Sequence, residues 1–472
     1  MNQKNKEENL LYVIFLAAVA ALGGFLFGYD TAVISGTIGS VAAQFSLNDV
    51  TTGWYVGCAL VGSIVGVIIA GKLSDQFGRK SVLLLSAVLF TGSGIGCMFA
   101  ENISQLVWYR IIGGVGIGTA SVISPLYISE ISVPRYRGTL VSLYQLAITI
   151  GFMGAYLVNY SINEYAMHMK ALGPAGGFWG KYMVDETWRG MLGAESIPAA
   201  IFFLILFFIP ESPRWLIVKA KEVKALGIFN RIYGQGKASE QIYDLKLLVQ
   251  SEEKSDWKIL FQPGFRMALF IGVSLAILGQ FMGVNAVLYY GPSIFQQTGL
   301  SEGDSLLYQV IVGLVNFGST VLAMALIDKI GRKRLVYYGV SGMIISLILI
   351  GFYFVLNKTS NVIPPVTLLI LILVYILSCA ISICVVIWVL LSEMYPSKVR
   401  GLAMSAAGLS LWIGTYLIGQ LTPWLMAAIS PAGVFWLFAL MCVPYMWITW
   451  KLVPETTGKS LEEIERMWNK MK

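Results

Sequence analysis

Apolar residues in this chain come in long runs, broken by short polar stretches rich in Gly, Pro and charge. Crossing a bilayer takes about 20 mostly apolar residues. Twelve runs qualify: 10–36, 53–72, 81–100, 106–130, 139–162, 189–209, 266–291, 306–327, 335–356, 365–392, 402–425 and 433–453. The first follows a short polar tail and continues without a cleavage-like break to Gly36, so it reads as an uncleaved membrane helix. Gly and Pro inside such runs are tolerated when neighbouring helices cover the backbone. Gly62 and Gly66, and Gly114 and Gly118, stand four apart and predict close helix–helix packing. The pattern predicts an all-α integral membrane protein.

Composition agrees. The 472 residues are 57% hydrophobic and 12% charged, against about a quarter charged in soluble domains. That excludes a soluble enzyme. The net charge of +7 does not point to nucleic acid, because the basic residues sit in short clusters between apolar runs. With the N-terminus in the cytoplasm, 28 of the 33 Lys and Arg residues fall on the cytoplasmic side, which sets the orientation of both termini. The five cysteines lie inside apolar runs with no metal-ligand spacing, His168 is the lone histidine, and no phosphate-binding loop is present. No cofactor, metal or enzymatic activity is expected.

The chain repeats itself. "DQFGRK" (75–80) returns as "DKIGRK" (328–333), "SEISVPRYRG" (129–138) as "SEMYPSKVRG" (392–401), and "PESPRWL" (210–216) as "PETTGKSL" (454–461). The pairs keep their order and follow equivalent spans. The organisation expected is a six-helix bundle at 1–210, a cytosolic helical linker at 211–265, a second bundle at 266–453 and a short cytosolic helix at 454–472. Parallel halves of this kind predict a transporter with its substrate site between them, near the midplane.

Ionisable residues inside the spans stand out. Asp30 is the only one between Leu10 and Gly36. A carboxylate facing lipid costs about 2.5–3.5 kcal/mol on insertion scales. Arg110 and Glu195 fall at a similar depth. One reading is a structural Asp–Arg pair; the other is a proton site, ionised in one state of a cycle and protonated in another. At the cytoplasmic helix ends, Asp75, Arg79, Glu130, Arg137, Glu211, Arg214, Asp328, Arg332, Glu393, Arg400 and Glu455 recur at fixed offsets. Topology accounts for the basic members but not for the acids, so these residues are expected to latch helix ends together when that side is closed. In the seventh span, Gln280 and Asn285 would point about 140° apart on an unbroken helix. Gly283 and Pro292 offer places to bend.

These motifs, with "RIIGGVGIG" (110–118), resemble the major facilitator superfamily and within it the sugar porters, along essentially the whole chain. The likeness is greatest to bacterial D-xylose/proton symporters, then to facilitative glucose transporters. It implies the major facilitator fold of two pseudo-symmetric six-helix bundles, with alternating access by rocking of the two. It implies sugar ligands at Gln280 and Asn285 and, by position, at Gln145, Tyr289, Asn316, Trp388 and Trp412, with Phe27 lining the pocket. Proton-coupled relatives carry Asp where Asp30 stands, and facilitative ones carry Asn. Five positions depart from the pattern. Gly279 replaces a glutamine, Cys384 and Val385 replace Gly-Pro, Leu411 replaces an amide and Phe152 replaces a further glutamine. These changes predict fewer hydrogen-bonding groups and a stiffer tenth helix. The function expected is import of a pentose or hexose by proton symport, driven by the proton gradient, in a bacterial inner membrane, by a monomer. The alternatives are a proton-independent facilitator, a polyol or cyclitol porter, and a transport-deficient sugar sensor.

Overall fold

The computed structural model describes residues 9–173, 176–251, 257–262, 265–360, 363–395 and 400–453. The first half holds α1 (Leu10–Val33), a short α2 (Ile38–Phe45), α3 (Asp49–Phe77), α4 (Arg79–Phe99), α5 (Ile103–Ile131), α6 (Arg137–Leu172), a single turn α7 (Gly177–Gly180), α8 (Thr187–Ala194) and α9 (Ser196–Leu206). The connecting segment holds α10 (Pro213–Val218), α11 (Glu222–Tyr233) and α12 (Gln235–Ser251). The second half holds α13 (Arg266–Phe281), α14 (Val284–Gln296), α15 (Glu302–Ile330), α16 (Arg332–Ser360), α17 (Pro365–Cys379), α18 (Val385–Met394) and α19 (Arg400–Lys451).

Eleven described helical segments are long and apolar enough to cross a membrane. The last of them, α19, turns back at Ser430, whose φ of 69° and ψ of 159° break the helix just before Pro431. It therefore makes two crossings, and the total is the expected twelve. Polar side chains start several of these helices. Asn48 and Thr51 form a capping box on α3, Asn102 caps α5 and Ser301 caps α15. The observed α6 is longer than the apolar run predicted for it. Its polar end continues the helix to Leu172, beyond the hydrophobic stretch.

The paired glycines do what their spacing predicts. Gly62 and Gly66 of α3 face Gly114 and Gly118 of α5. A β-carbon on Gly114 would collide with the Ala59 carbonyl, and one on Gly118 with the Ser63 carbonyl. Backbones this close leave room only for hydrogen.

The two halves meet mainly through α3 against α19 and α6 against α15. The two N-half to C-half hydrogen bonds among the described residues lie at the end opposite the charge motifs. Gln420 donates to the Val50 carbonyl at 3.0 Å, and the Tyr156 hydroxyl donates to the Leu288 carbonyl at 2.8 Å. At the charge-motif end, Gly138 of α6 and Gly401 of α19 have open space where a side chain would stand.

One expectation fails. The tenth span is not a stiff, regular helix. Between α17 and α18, Ala380–Cys384 winds as a π-helical turn. Replacing Gly-Pro removed one source of bending but left a local insertion in its place. The predicted helix at 454–472, with Glu455, lies outside the described residues.

Candidate functional site

Asp30, near the end of α1, and Arg110, on α5, form a buried ion pair. Arg110 Nη1 donates to Asp30 Oδ1 at 2.7 Å, and the side chains are 2% and 1% exposed. Gly113, one turn beyond Arg110, keeps space open beside Ser93 and Asp30. Glu195, 2% exposed, sits at the junction of α8 and α9 and interacts with both members of the pair. Asp30 Oδ2, Glu195 Oε1 and Arg110 Nε have no hydrogen-bond partner. The site thus holds two carboxyls against one guanidinium.

The second cluster grows from a broken helix. α13 stops at Phe281 and α14 restarts at Val284, with Gly283 between them at φ 90°. Few residues other than glycine adopt that conformation readily, and a β-carbon here would also strike the Phe438 ring. The Met282 carbonyl left over at the break accepts from the Tyr375 hydroxyl at 2.7 Å. The break turns Asn285 onto the side of Gln280. Asn285 Nδ2 donates to Gln280 Oε1 at 2.7 Å, and Thr415 Oγ1 donates to the same oxygen at 3.0 Å. Both amides are half-buried. The Gln280 amino group and the Asn285 carbonyl oxygen are left for a hydroxylated ligand.

Aromatic side chains stand on the neighbouring helices. The Phe27 ring, from the N-terminal half, lies 5.4 Å from the Trp412 ring of the C-terminal half. Thr415 is one turn beyond Trp412, a position whose hydroxyl sequence reasoning missed. Tyr289, one turn beyond Asn285 on α14, is 3% exposed, and its ring packs beside Gly419 of α19. Trp388 is 39% exposed and reaches towards Gly408 of α19. Gln145 is half-buried and Asn316 is 8% exposed, and neither side chain bonds to the Gln280 cluster. Leu288 was also not foreseen. Pro292 has no N–H to offer its carbonyl, so that oxygen accepts from the Tyr156 hydroxyl and from Gln309 Nε2, the latter at 3.1 Å.

The charge motifs build two similar corners. Gly78, at φ 99°, turns α3 into α4, and Gly331, at φ 94°, turns α15 into α16. The first residue of each new helix is the arginine. Arg79 grips Glu130 through Nε and Nη2, both at 3.1 Å, and reaches Asp75 at 3.2 Å. Ser212 donates to Glu130 as well. Glu211 accepts from the backbone N–H groups of Arg79 (2.8 Å), Lys80 (3.1 Å) and Ser212 (2.8 Å), capping α4 where its dipole favours an anion. Arg332 pairs with Glu393 at 2.9 Å. Arg400 donates to the Tyr395 carbonyl, Arg137 is exposed and Arg214 is half-buried. The Asp328 side chain and Glu455 lie outside the described residues. Among the described residues, the ion pairs of these motifs join Arg79 to Asp75 and Glu130 in the first half and Arg332 to Glu393 in the second.

Comparison with known proteins gives a consistent picture. Residues 16–468 match the family described as sugar (and other) transporters. The chain is 38% identical to the arabinose-proton symporter of Bacillus subtilis over 98% of its length and 97% of that protein's. It is 37% identical to the D-xylose-proton symporter of Escherichia coli, again over 98% and 97%. The inward-open structure of the Escherichia coli xylose transporter superposes with a TM-score of 0.82 at 35% identity, covering 97% of this chain and all of that one. The same transporter bound to 6-bromo-6-deoxy-D-glucose gives 0.77. The chain belongs to the sugar transporter family and has the all-α major facilitator fold.

Proposed function

We propose that the protein imports a monosaccharide together with a proton by alternating access. The observation that carries this reading is the buried Asp30–Arg110 pair with Glu195 as a second buried acid in the N-terminal half, beside a Gln280–Asn285 amide pair at the helix break of the C-terminal half. The proton sits on the carboxyl pair. Sugar hydroxyls bond to the amides between the halves, and Phe27 and Trp412 pack on the sugar's apolar faces. Binding draws the halves together at the charge-motif end. Tyr289 moves with α14 and alters the field at Asp30, so sugar occupancy and proton occupancy shift each other's equilibria.

The positive-inside pattern makes the charge-motif end cytoplasmic, in a bacterial inner membrane with both termini inside. The cytoplasmic clusters latch across the halves when that side closes. The substrate class is a pentose. Position 279 supplies no amide, Ile383 and Tyr445 wall the space beside it, and Leu411 and Phe152 supply none either. A site short of hydrogen-bonding groups disfavours hydroxyls it cannot satisfy. Arabinose and xylose are also the sugars named for the two relatives above. The protein acts as a monomer with the proton gradient as its only driving force. A ligand-stability screen with pentoses, hexoses, deoxy sugars and inositols tests the substrate class. Stabilisation by a pentose is expected, and stabilisation by inositols alone would make the protein a cyclitol porter.

A further inference from the structure

Cys379 and Cys384 hold their sulfur atoms 3.7 Å apart within the tenth span. Five positions separate them, and on a regular α-helix such a pair points about 140° apart. The π-helical turn Ala380–Cys384 supplies the extra residue that brings both side chains to one face. The turn is held from its other side. The Ser382 hydroxyl donates to the Ser378 carbonyl at 2.6 Å, and both serines fill the space over Gly339 and Gly342 of α16. Cys379 is buried and Cys384 is partly exposed. Cys58 and Cys442 instead turn their thiols onto carbonyls of their own helices.

The gap exceeds the roughly 2.05 Å of a disulfide, but one atom bonded to both sulfurs can span it. We propose that Cys379 and Cys384 form a dithiol site for trivalent arsenicals, and that its occupation arrests transport. With an arylarsine oxide, two As–S bonds form while the arsenic–oxygen bond and two S–H bonds break. The oxygen leaves as water with the two thiol protons, and arsenic remains trivalent. The ring so closed fits only the π-helical turn, so the helix cannot return to regular α-geometry. Trp388, one turn beyond Cys384, is then held in place. The arrest rests on the transport reading above; the binding does not.

The test uses the full-length purified protein and phenylarsine oxide, read by intact mass in excess monothiol. The wild type is expected to keep one adduct and to release it to a dithiol such as dithiothreitol. The variants Cys384→Ala and Cys379→Ala should lose the adduct, while Cys442→Ala retains it. A monodisperse elution profile establishes that each variant is folded. No monothiol-resistant adduct on the wild type, or one that persists in either single variant, would overturn the site. Sugar uptake should fall at least tenfold in the adducted wild type and hold steady in treated Cys384→Ala. Undiminished uptake by fully adducted protein would overturn the arrest.

Discussion

The Tyr156 hydroxyl of one half donates to the Leu288 carbonyl of the other at 2.8 Å, and that carbonyl is available because Pro292 cannot bond it. A proline in a membrane helix thus supplies the acceptor for a contact that closes one end of the molecule. Tyr156→Phe removes this bond and leaves Gln309 to satisfy the oxygen. The loss is about 1 kcal/mol, a shift of roughly fivefold towards the state open at that end. Spin labels near Val50, at the outer end of α3, and near Gln420, in the first limb of α19, should show a larger population of long distances. An unchanged distribution would remove Tyr156 from the gate.

Gln280 is the acceptor for both Asn285 and Thr415. Gln280→Ala takes away a ligand and the group that orients two others. Sugar affinity should fall about tenfold or more, the equivalent of at least ~1.4 kcal/mol. Thr415→Val keeps the shape and removes one oriented hydroxyl, so its loss should be smaller. Titration calorimetry distinguishes them, and equal affinity in the Gln280→Ala variant would move the sugar elsewhere.

Arg79 and Arg137 should respond in opposite ways. The Arg79 fork is half of a buried corner with Glu130, whose side chain is 4% exposed. Lysine cannot reproduce a two-pronged grip, and breaking a buried pair costs about 3–5 kcal/mol. Arg79→Lys should therefore lower the melting temperature by several degrees. Arg137 is exposed, so Arg137→Ala should melt like the wild type yet transport more slowly, if it partners another residue when the cytoplasmic side closes. Wild-type transport by Arg137→Ala would confine the charge motifs to structure.

Most of the architecture was legible because its signals are local. Twelve apolar runs give twelve crossings, and four-residue glycine spacing gives the α3–α5 contact. Gly283 gave the helix break that joins Gln280 to Asn285. What was not legible depends on partners distant in the chain. Glu211 reads as a member of the charge latch, yet its Oε1 caps a helix more than 130 residues upstream. Thr415 and Tyr156 are ordinary residues in apolar helices until the opposite element is known. The π-helical turn at Ala380–Cys384 was misjudged because no glycine or proline marks it. Ser378 and Ser382 pack over Gly339 and Gly342 of α16, a contact that only the fold reveals.

Asp30 carries the central claim, and the most direct measurement is sugar accumulation in proteoliposomes under an imposed pH gradient. Asp30→Asn keeps the size of the side chain and removes the proton-binding group. The variant should bind sugar and exchange it across the membrane as the wild type does, with no accumulation above the equilibrium level. Wild-type accumulation by Asp30→Asn under the same gradient would contradict proton coupling through this residue.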